Sequence, residues 1–535
     1  MSLHTLSLRA LLFLGLWHSG RRSLASAPQL QEQPKTIGKY HAADMKESPC
    51  NLVVLVIIRT DLRAVVGAGI GGTAAAYYLR EEFGPVVKID VFESGTVGGR
   101  LATVKLGDYE YETGGSVIHP LNLHMKQFIE KLGIPQRKEL PSKMAIFDGK
   151  ELVFEESDWF IVNFFRMLWR YGFSFIRMQM WVESVLDKFM RIYQYQQYGY
   201  SFSSVDRLLH AMGGDRFLTL MNQTLEEAML GEGFSQVFLN DIVAPVTRVN
   251  YGQSVRINGF VGVVSLAGVD SGLWAVDGGN KRVCSGLLYH SKSDLIPAKV
   301  TSISVKSRPT KRGNTVSYYE VNYVGEAGSA HSLYDIVVIA TPLHQGKSDI
   351  TFSGFSPLIP THYPGLYHRL VTTLVHGTLN MSYLGTTEPA SEFTVSDILT
   401  TDSKGCTINS LSSLDPVHIP DGYKRPSASH PKVWKVFSSE SLTQEQLQQM
   451  FLSYDSVSET LWLAYPSYRP PHRKTPPFIL HNRLYYVNPL EWAASAMEMS
   501  AISARNVALL AHHRWHEQAG KIDQEDLHTR LRGEL

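Results

Sequence analysis

A β-prone run leading straight into a glycine loop, a second strand ending in an acid, and a later apolar strand closed by Ala-x-Pro predict an α/β chain. Together they describe a Rossmann-like dinucleotide-binding domain built from separate chain segments, with an α+β substrate-binding domain set between them. A length of 535 residues accommodates both. The net charge of +1 offers no basic surplus, so nucleic-acid binding is not expected.

The first strand is Ala64-Val65-Val66, and it enters Gly67-Ala68-Gly69-Ile70-Gly71-Gly72. Gly67 permits the tight turn, and Gly69 leaves room for a pyrophosphate against the backbone. Gly72 lets the next helix pack close on the strand, and that helix's N-terminus attracts phosphate charge. Ile70 and Gly71, between them, belong to the same cofactor-binding loop. The second strand, residues 87–92, ends in Glu93, 21 residues after Gly72 and close to the roughly 20 expected of a ribose-binding acid. A carboxylate there repels a 2′-phosphate, which argues against NADP. Gly98-Gly99-Arg100 follows, a second glycine pair that a nicotinamide dehydrogenase does not need. Arg100 carries a planar fork suited to phosphate oxygens. The cofactor these features predict is FAD.

Three longer stretches extend the pattern. They are Tyr111-Glu112-Thr113-Gly114-Gly115-Ser116-Val117-Ile118-His119-Pro120, Ser271-Gly272-Leu273-Trp274-Ala275-Val276-Asp277-Gly278-Gly279-Asn280 and Ala493-Ala494-Ser495-Ala496-Met497-Glu498-Met499-Ser500-Ala501. With the glycine loops and the strand Asp335-Ile336-Val337-Val338-Ile339-Ala340-Thr341-Pro342, they resemble the prenylcysteine oxidase family. The resemblance runs from about residue 64 to the C-terminus. It implies an FAD thioether oxidase that converts farnesyl- or geranylgeranyl-cysteine to free cysteine, a prenyl aldehyde and hydrogen peroxide, using molecular oxygen. It also implies a lysosomal or secreted glycoprotein. By the same resemblance Gly114, Gly115 and Ser116 pass the isoalloxazine ring, and Val300 meets adenine through its backbone. Glu498 and Met499 open a helix whose amides face the flavin O2 edge, where the dipole favours negative charge.

The expected layout is a signal peptide over 1–27, an atypical leader or insertion over 28–62, and dinucleotide-domain segments at 63–150, 271–345 and 481–535. The substrate domain takes a mostly helical region at 151–270 and a second part at 346–480. Arg9, the apolar run at 10–17 and Ala25-Ser26-Ala27 suit a signal peptide. The sequons at Asn222 and Asn380 suit glycosylation. The leader includes the strand-like run at 53–58, and it puts Arg63 in a strand expected to be buried on both faces. Cys50, Cys284 and Cys406 contain no CxxC, so no metal site is expected.

Residues 159–200 are dense in aromatic side chains and methionine, interrupted by Arg166, Arg170, Arg177 and Lys188. Two readings stay open. As core, Trp181→Ala lowers stability. As a pocket wall or a membrane-facing lip for an isoprenoid, it raises KM. Ser203-Ser204-Val205-Asp206 resembles a capping box. His119 is the ionisable group beside the ring-contacting loop: a proton shuttle, or a turn residue ahead of Pro120. Oxidation at an allylic carbon next to sulphur needs no strong base, so orientation is the protein's main task. Three other readings compete: a nicotinamide dehydrogenase, an amine oxidase on the same scaffold, and a prenyl-binding escort protein without flavin chemistry. Glu93 argues against the last, because an escort has no use for a ribose acid.

Overall fold

The computed structural model describes residues 62–525 and Leu527, apart from 270–271, 310–314, 388 and 472–474. The signal peptide, nearly all of the 28–62 leader, Cys50 and Ser271 of the second long motif fall outside the described residues.

The dinucleotide domain is a nine-stranded sheet. Its centre is β1 (Leu62–Val66), which pairs in parallel with β2 (Lys88–Glu93) on one side and β10 (Ile336–Ile339) on the other. β18 (Leu484–Tyr486) continues beyond β10 in parallel, and β17 (Ile479–His481) closes that edge antiparallel. Beyond β2 comes β7 (Asp294–Pro309), then the antiparallel β8 (Thr315–Gly325) and β9 (Gly328–Tyr334), with β11 (Thr351–Ser353) on β7. β10 reads as an unbroken apolar run, and β1 as one interrupted only by Arg63, because both faces are covered. Helix α1 (Ile70–Phe83) places Ala74, Ala75 and Ala76 in the core. These small residues let the C-terminal helix come close over it.

Arg63 is fully buried in β1, and the reason it is tolerated lies 450 residues away. Its guanidinium sits 4.5 Å from the Phe83 ring and 4.6 Å from the Trp515 ring, so two aromatic faces receive the charge. Sequence gives no reason to pair these three.

The second domain is a seven-stranded sheet in the order β16 (Phe451–Pro466), β12 (Tyr367–Leu379), β15 (Lys432–Ser438), β14 (Ile408–Ser413), β13 (Val395–Thr400), β5 (Lys143–Phe147) and β6 (Leu152–Glu155). β5 lies in the segment assigned to the dinucleotide domain, but it pairs with β13. That expectation is therefore corrected: the chain crosses over before residue 143, because Ala145 and Phe147 are core residues of this sheet. Strands β3 (Thr103–Leu106) and β4 (Tyr109–Glu112) form a separate hairpin.

Helices α2 (Leu123–Leu132), α3 (Phe160–Tyr171), α4 (Ser174–Phe189), α5 (Arg191–Gln197) and α6 (Val205–Gly213) begin the helical layer, followed by α7 (Asp215–Asn222) and α8 (Leu225–Gly231). Ser204 does cap α6, accepting from the Arg207 amide. The reciprocal half of a capping box is missing there, since the third position is Arg207 rather than Glu or Gln. The true box belongs to Thr224 and Glu227 on α8. Trp181 on α4 is 7% exposed and packs edge-on to Phe234, which is the core reading. α3 behaves differently: Trp169 is 94% exposed and Trp159 71%. No helix among the described residues is long and apolar enough to cross a membrane.

Candidate functional site

The turn after β1 needs glycine for steric reasons. A Cβ on Gly72 would lie 1.8 Å from the Gly67 carbonyl oxygen, so any side chain forces the loop open. α1 then starts with the Thr73 amide donating to Gly69 O at 3.0 Å. The second glycine loop closes on the first. The Gly98 amide donates to Ala68 O at 3.0 Å, and Gly69 and Gly98 form an isolated parallel bridge. The result is a floor of bare backbone at the N-terminus of α1, where amides and helix dipole both favour an anion. Glu93 stands at its rim. Its Oε2 accepts from the Ala68 amide at 2.8 Å and its Oε1 from the Gly95 amide at 2.8 Å. Carboxylate oxygens each have a second lone pair, so the ribose-binding role keeps its acceptors.

The ring-contacting loop lies next to this floor. Gly114 has no room for a Cβ, which would meet Arg100 O at 1.9 Å, and the Gly115 amide donates to that same oxygen. Asn280 Nδ2 donates to Gly115 O at 2.9 Å and ties the second long motif to the first. Gly115 faces the Met497 side chain, the first residue of α9 (Met497–Trp515). Ser116 follows in the same loop, half-buried. The Ala496 cap of α9 is extended backbone with no side-chain cap, so the first-turn amides of Glu498 and Met499 end the helix at the loop junction. Val300 is buried in β7, beside β2 in the same sheet.

Arg100 and Glu498 have duties the sequence did not suggest, and His119 takes the turn role of its two readings. Arg100 does not project as a free phosphate fork. It donates to Ala464 O and, at 2.7 Å, to Glu491, which is 3% exposed. Glu491 also accepts from the Tyr367 hydroxyl. Burial pushes the Glu491 carboxyl up, but Arg100 and Tyr367 outweigh it and hold the group below the usual range. The Glu498 carboxylate turns away from the loops: it accepts from the His124 and Met125 amides and the Tyr193 hydroxyl, closing the N-terminus of α2. Burial raises it to about 7. His119 serves the turn: its amide donates to Asn122 Oδ1, and its Nδ1 accepts from the Leu121 amide.

Lys347 was missed. It follows the Ala340-Thr341-Pro342 end of β10, with its Nζ 5.2 Å from the Tyr367 ring. Burial, then the Arg100 charge, lowers it to about 7. The signal in the sequence was a lone lysine a few residues past the Ala-x-Pro strand end. His344, beside it, is held near 4 by burial and stays neutral.

Residues 154–524 match the family model described as prenylcysteine lyase. The chain belongs to the prenylcysteine lyase family. A second model, described as an NAD(P)-binding Rossmann-like domain, matches residues 65–132 and covers the glycine floor. Among relatives, prenylcysteine oxidase 1 of Mus musculus is 53% identical over 88% of this chain and 93% of its own length. The Homo sapiens protein of that name is 53% identical over 89% of this chain. A prenylcysteine oxidase 1-like protein of Homo sapiens is 46% identical over 88%. Solved structures with the same fold include a putrescine oxidase triple mutant, TM-score 0.55 at 14% identity over 84% of this chain and 98% of that one. Cyclohexylamine oxidase from Brevibacterium oxydans IH-35A has a TM-score of 0.53 at 14% identity, covering 85% and 99%. The glycine floor, the ribose acid and the dipole of α9 fit FAD.

Proposed function

We propose that this chain is an FAD-dependent oxidase that cleaves the thioether of farnesyl- or geranylgeranyl-cysteine. The observation that carries the reading is 53% identity to a prenylcysteine oxidase over nearly the whole chain, with the glycine floor intact. FAD held at the glycine floor and beside Glu93 would supply a hydride acceptor that molecular oxygen reoxidises, with hydrogen peroxide as the product. The substrate carbon between sulphur and the double bond loses hydride, and its positive charge is shared by both neighbours. Water adds to that carbon, and the hemithioacetal collapses to prenyl aldehyde and cysteine thiol. The chain's own residues orient the substrate carbon for these steps. Lys347, held near 7 beside Tyr367, takes up and releases a proton at its Nζ.

Two finer statements belong to the same proposal. The protein works in the lysosome or the secretory pathway, with glycans at Asn222 and Asn380. Support is the 1–27 leader and the exposed Asn222 at the end of α7. It also touches lipid surfaces peripherally through α3. Ile161, Phe165 and Trp169 recur every four residues on its exposed side, with Trp159 and Phe173 at its ends and Arg166 and Arg170 beside them. Aromatic and aliphatic residues flanked by arginine suit the headgroup boundary, where a prenylated substrate also partitions.

The deciding experiment is an absorbance spectrum of purified protein, then anaerobic addition of S-farnesylcysteine. The oxidised flavin band at about 450 nm should bleach, and prenyl aldehyde should appear with peroxide on admitting air. Colourless protein that binds NADH would overturn the cofactor. A band that bleaches with amines but not with the thioether would overturn the substrate class.

A further inference from the structure

We propose that Lys435 anchors the α-carboxylate of the substrate's cysteine end, with Glu112 as the acceptor for its α-ammonium. The inference rests on the prenylcysteine reading, since only an amino-acid head group needs both charges met. A prenylcysteine is a long apolar tail on a zwitterion. To bring the scissile carbon to the site, the zwitterion must leave bulk water, and an unpaired buried charge is expensive.

The sheet of the second domain has two different faces. Trp434 and Val436 of β15 join the apolar cluster with Ala145, Phe147, Val375 and Leu411. The alternate residues Val433, Lys435 and Phe437 point the other way. Val433 and Leu374 pack against Tyr111 of β4. Lys435 is directly opposite Leu374 in the ladder, and Phe437 is opposite Thr372. Thr372 Oγ1 donates to Thr113 O at 3.2 Å, one residue from Gly114. This face therefore lies against β4 and the loop that the ring passes, and Lys435 is one ladder step from the contact.

Lys435 is 7% exposed and makes no hydrogen bond or ion pair among the described residues. Its Nζ lies 4.9 Å from the Phe437 ring. Glu112, 3% exposed, follows Tyr111 on β4, the strand that packs on this face, and lies within electrostatic reach of Lys435. One Glu112 oxygen accepts from the Asn280 amide at 2.7 Å, and the other is buried with no partner. Asp397, on β13 in the same ladder row through Ser412, and Arg137 are the other charges near the ammonium. Arg100 closes on Glu491 and Arg425 on Asp415, whereas Lys435 closes on no carboxylate among the described residues. Lys435 and Glu112 feel each other's charge without forming an ion pair. Burial pushes the Lys435 ammonium down and the Glu112 carboxyl up to about 6, as expected of charges waiting for partners.

The test uses flavin-loaded enzyme and three substrates: S-farnesylcysteine, S-farnesylcysteamine, which lacks the carboxylate, and S-farnesyl-3-mercaptopropionate, which lacks the ammonium. Lys435→Met should raise KM for S-farnesylcysteine roughly 10–100-fold, the range for a hydrogen bond between charged partners, and leave kcat within a few-fold. Its KM for the cysteamine should hardly move. Equal increases for both substrates, or none, would overturn the anchor and make Lys435 structural. If the variant does not fold, wild type decides alone: it must prefer S-farnesylcysteine to the cysteamine by a similar factor, and equal KM values overturn the proposal. Wild type that oxidises none of the three refutes the prenylcysteine reading itself, which is a different result.

Discussion

Helices α3 and α4 are neighbours that both carry aromatic residues and methionine, and they put them to opposite uses. On α4, Phe175, Met178, Trp181, Val182 and Val185 are buried against the helical layer. On α3, Asn163, Met167 and Tyr171 are buried and Phe164 packs edge-on to Phe175, while Trp169 stands in solvent. Composition is therefore a poor guide to burial for an aromatic stripe. What decides is how many other elements reach that face. α4 is flanked by α3, α5, α6 and Gly259–Ala267, whereas α3 packs on α4 and, through Tyr171 and Arg170 at its C-terminal end, on Phe238 and Asp241.

The contrast breaks most sharply at its two ends. Trp181→Ala should lower stability by about 3–5 kcal/mol in denaturant unfolding, with KM for S-farnesylcysteine unchanged in whatever protein folds. A raised KM at normal stability would return Trp181 to the pocket wall. The same inside–outside logic applies to arginine pairs. Arg100→Met strands the buried Glu491 and should cost about 3 kcal/mol and flavin occupancy, measured by unfolding and by the absorbance ratio. The α3 pair Arg170–Asp241, half open to water, should lose less than about 1 kcal/mol in the matching Arg170→Met variant.

Acid dependence gives a third, smaller handle. Glu498 is raised to about 7 in the folded state against an ordinary value of 4.5. The folded protein thus favours its neutral form: its contribution is fully present below 4.5 and is lost as pH rises through 7. Glu498→Gln should flatten the stability profile between those values relative to wild type, read as Tm against pH. An unchanged difference across that window would mean that the α2 amides alone set the carboxyl. The smallest stability effect belongs to the exposed end of the comparison. Trp159→Ser with Trp169→Ser should stay within about 0.5 kcal/mol of wild type in unfolding. Sedimentation with anionic phosphatidylserine vesicles should fall about tenfold. Retained binding would place the lipid contact elsewhere.

The dinucleotide half was legible because its information is local. A glycine with no space for a Cβ, an acid at a strand end and apolar runs of set length are properties of a few consecutive residues, and β1, β2, β10 and α9 stand where those patterns put them. The roles expected of Val300 and the Gly114 loop rest on the family resemblance, since nothing in their own residues announces a ring or an adenine. The second half resisted for a physical reason. β5 joins its sheet through a partner 250 residues later, and a short apolar strand carries no record of which sheet it enters.

By itself the sequence determined the glycine turn after β1, the acid at the end of β2 and the central strands. These follow from backbone sterics and short-range spacing. Tertiary structure alone decided that Arg63 rests between Phe83 and Trp515, that Arg100 closes on Glu491, that Glu498 caps α2, and that Lys347 is pressed toward neutrality. Each depends on which distant side chain shares a dehydrated space, and the energy of a charge is set by that space more than by its neighbours in sequence.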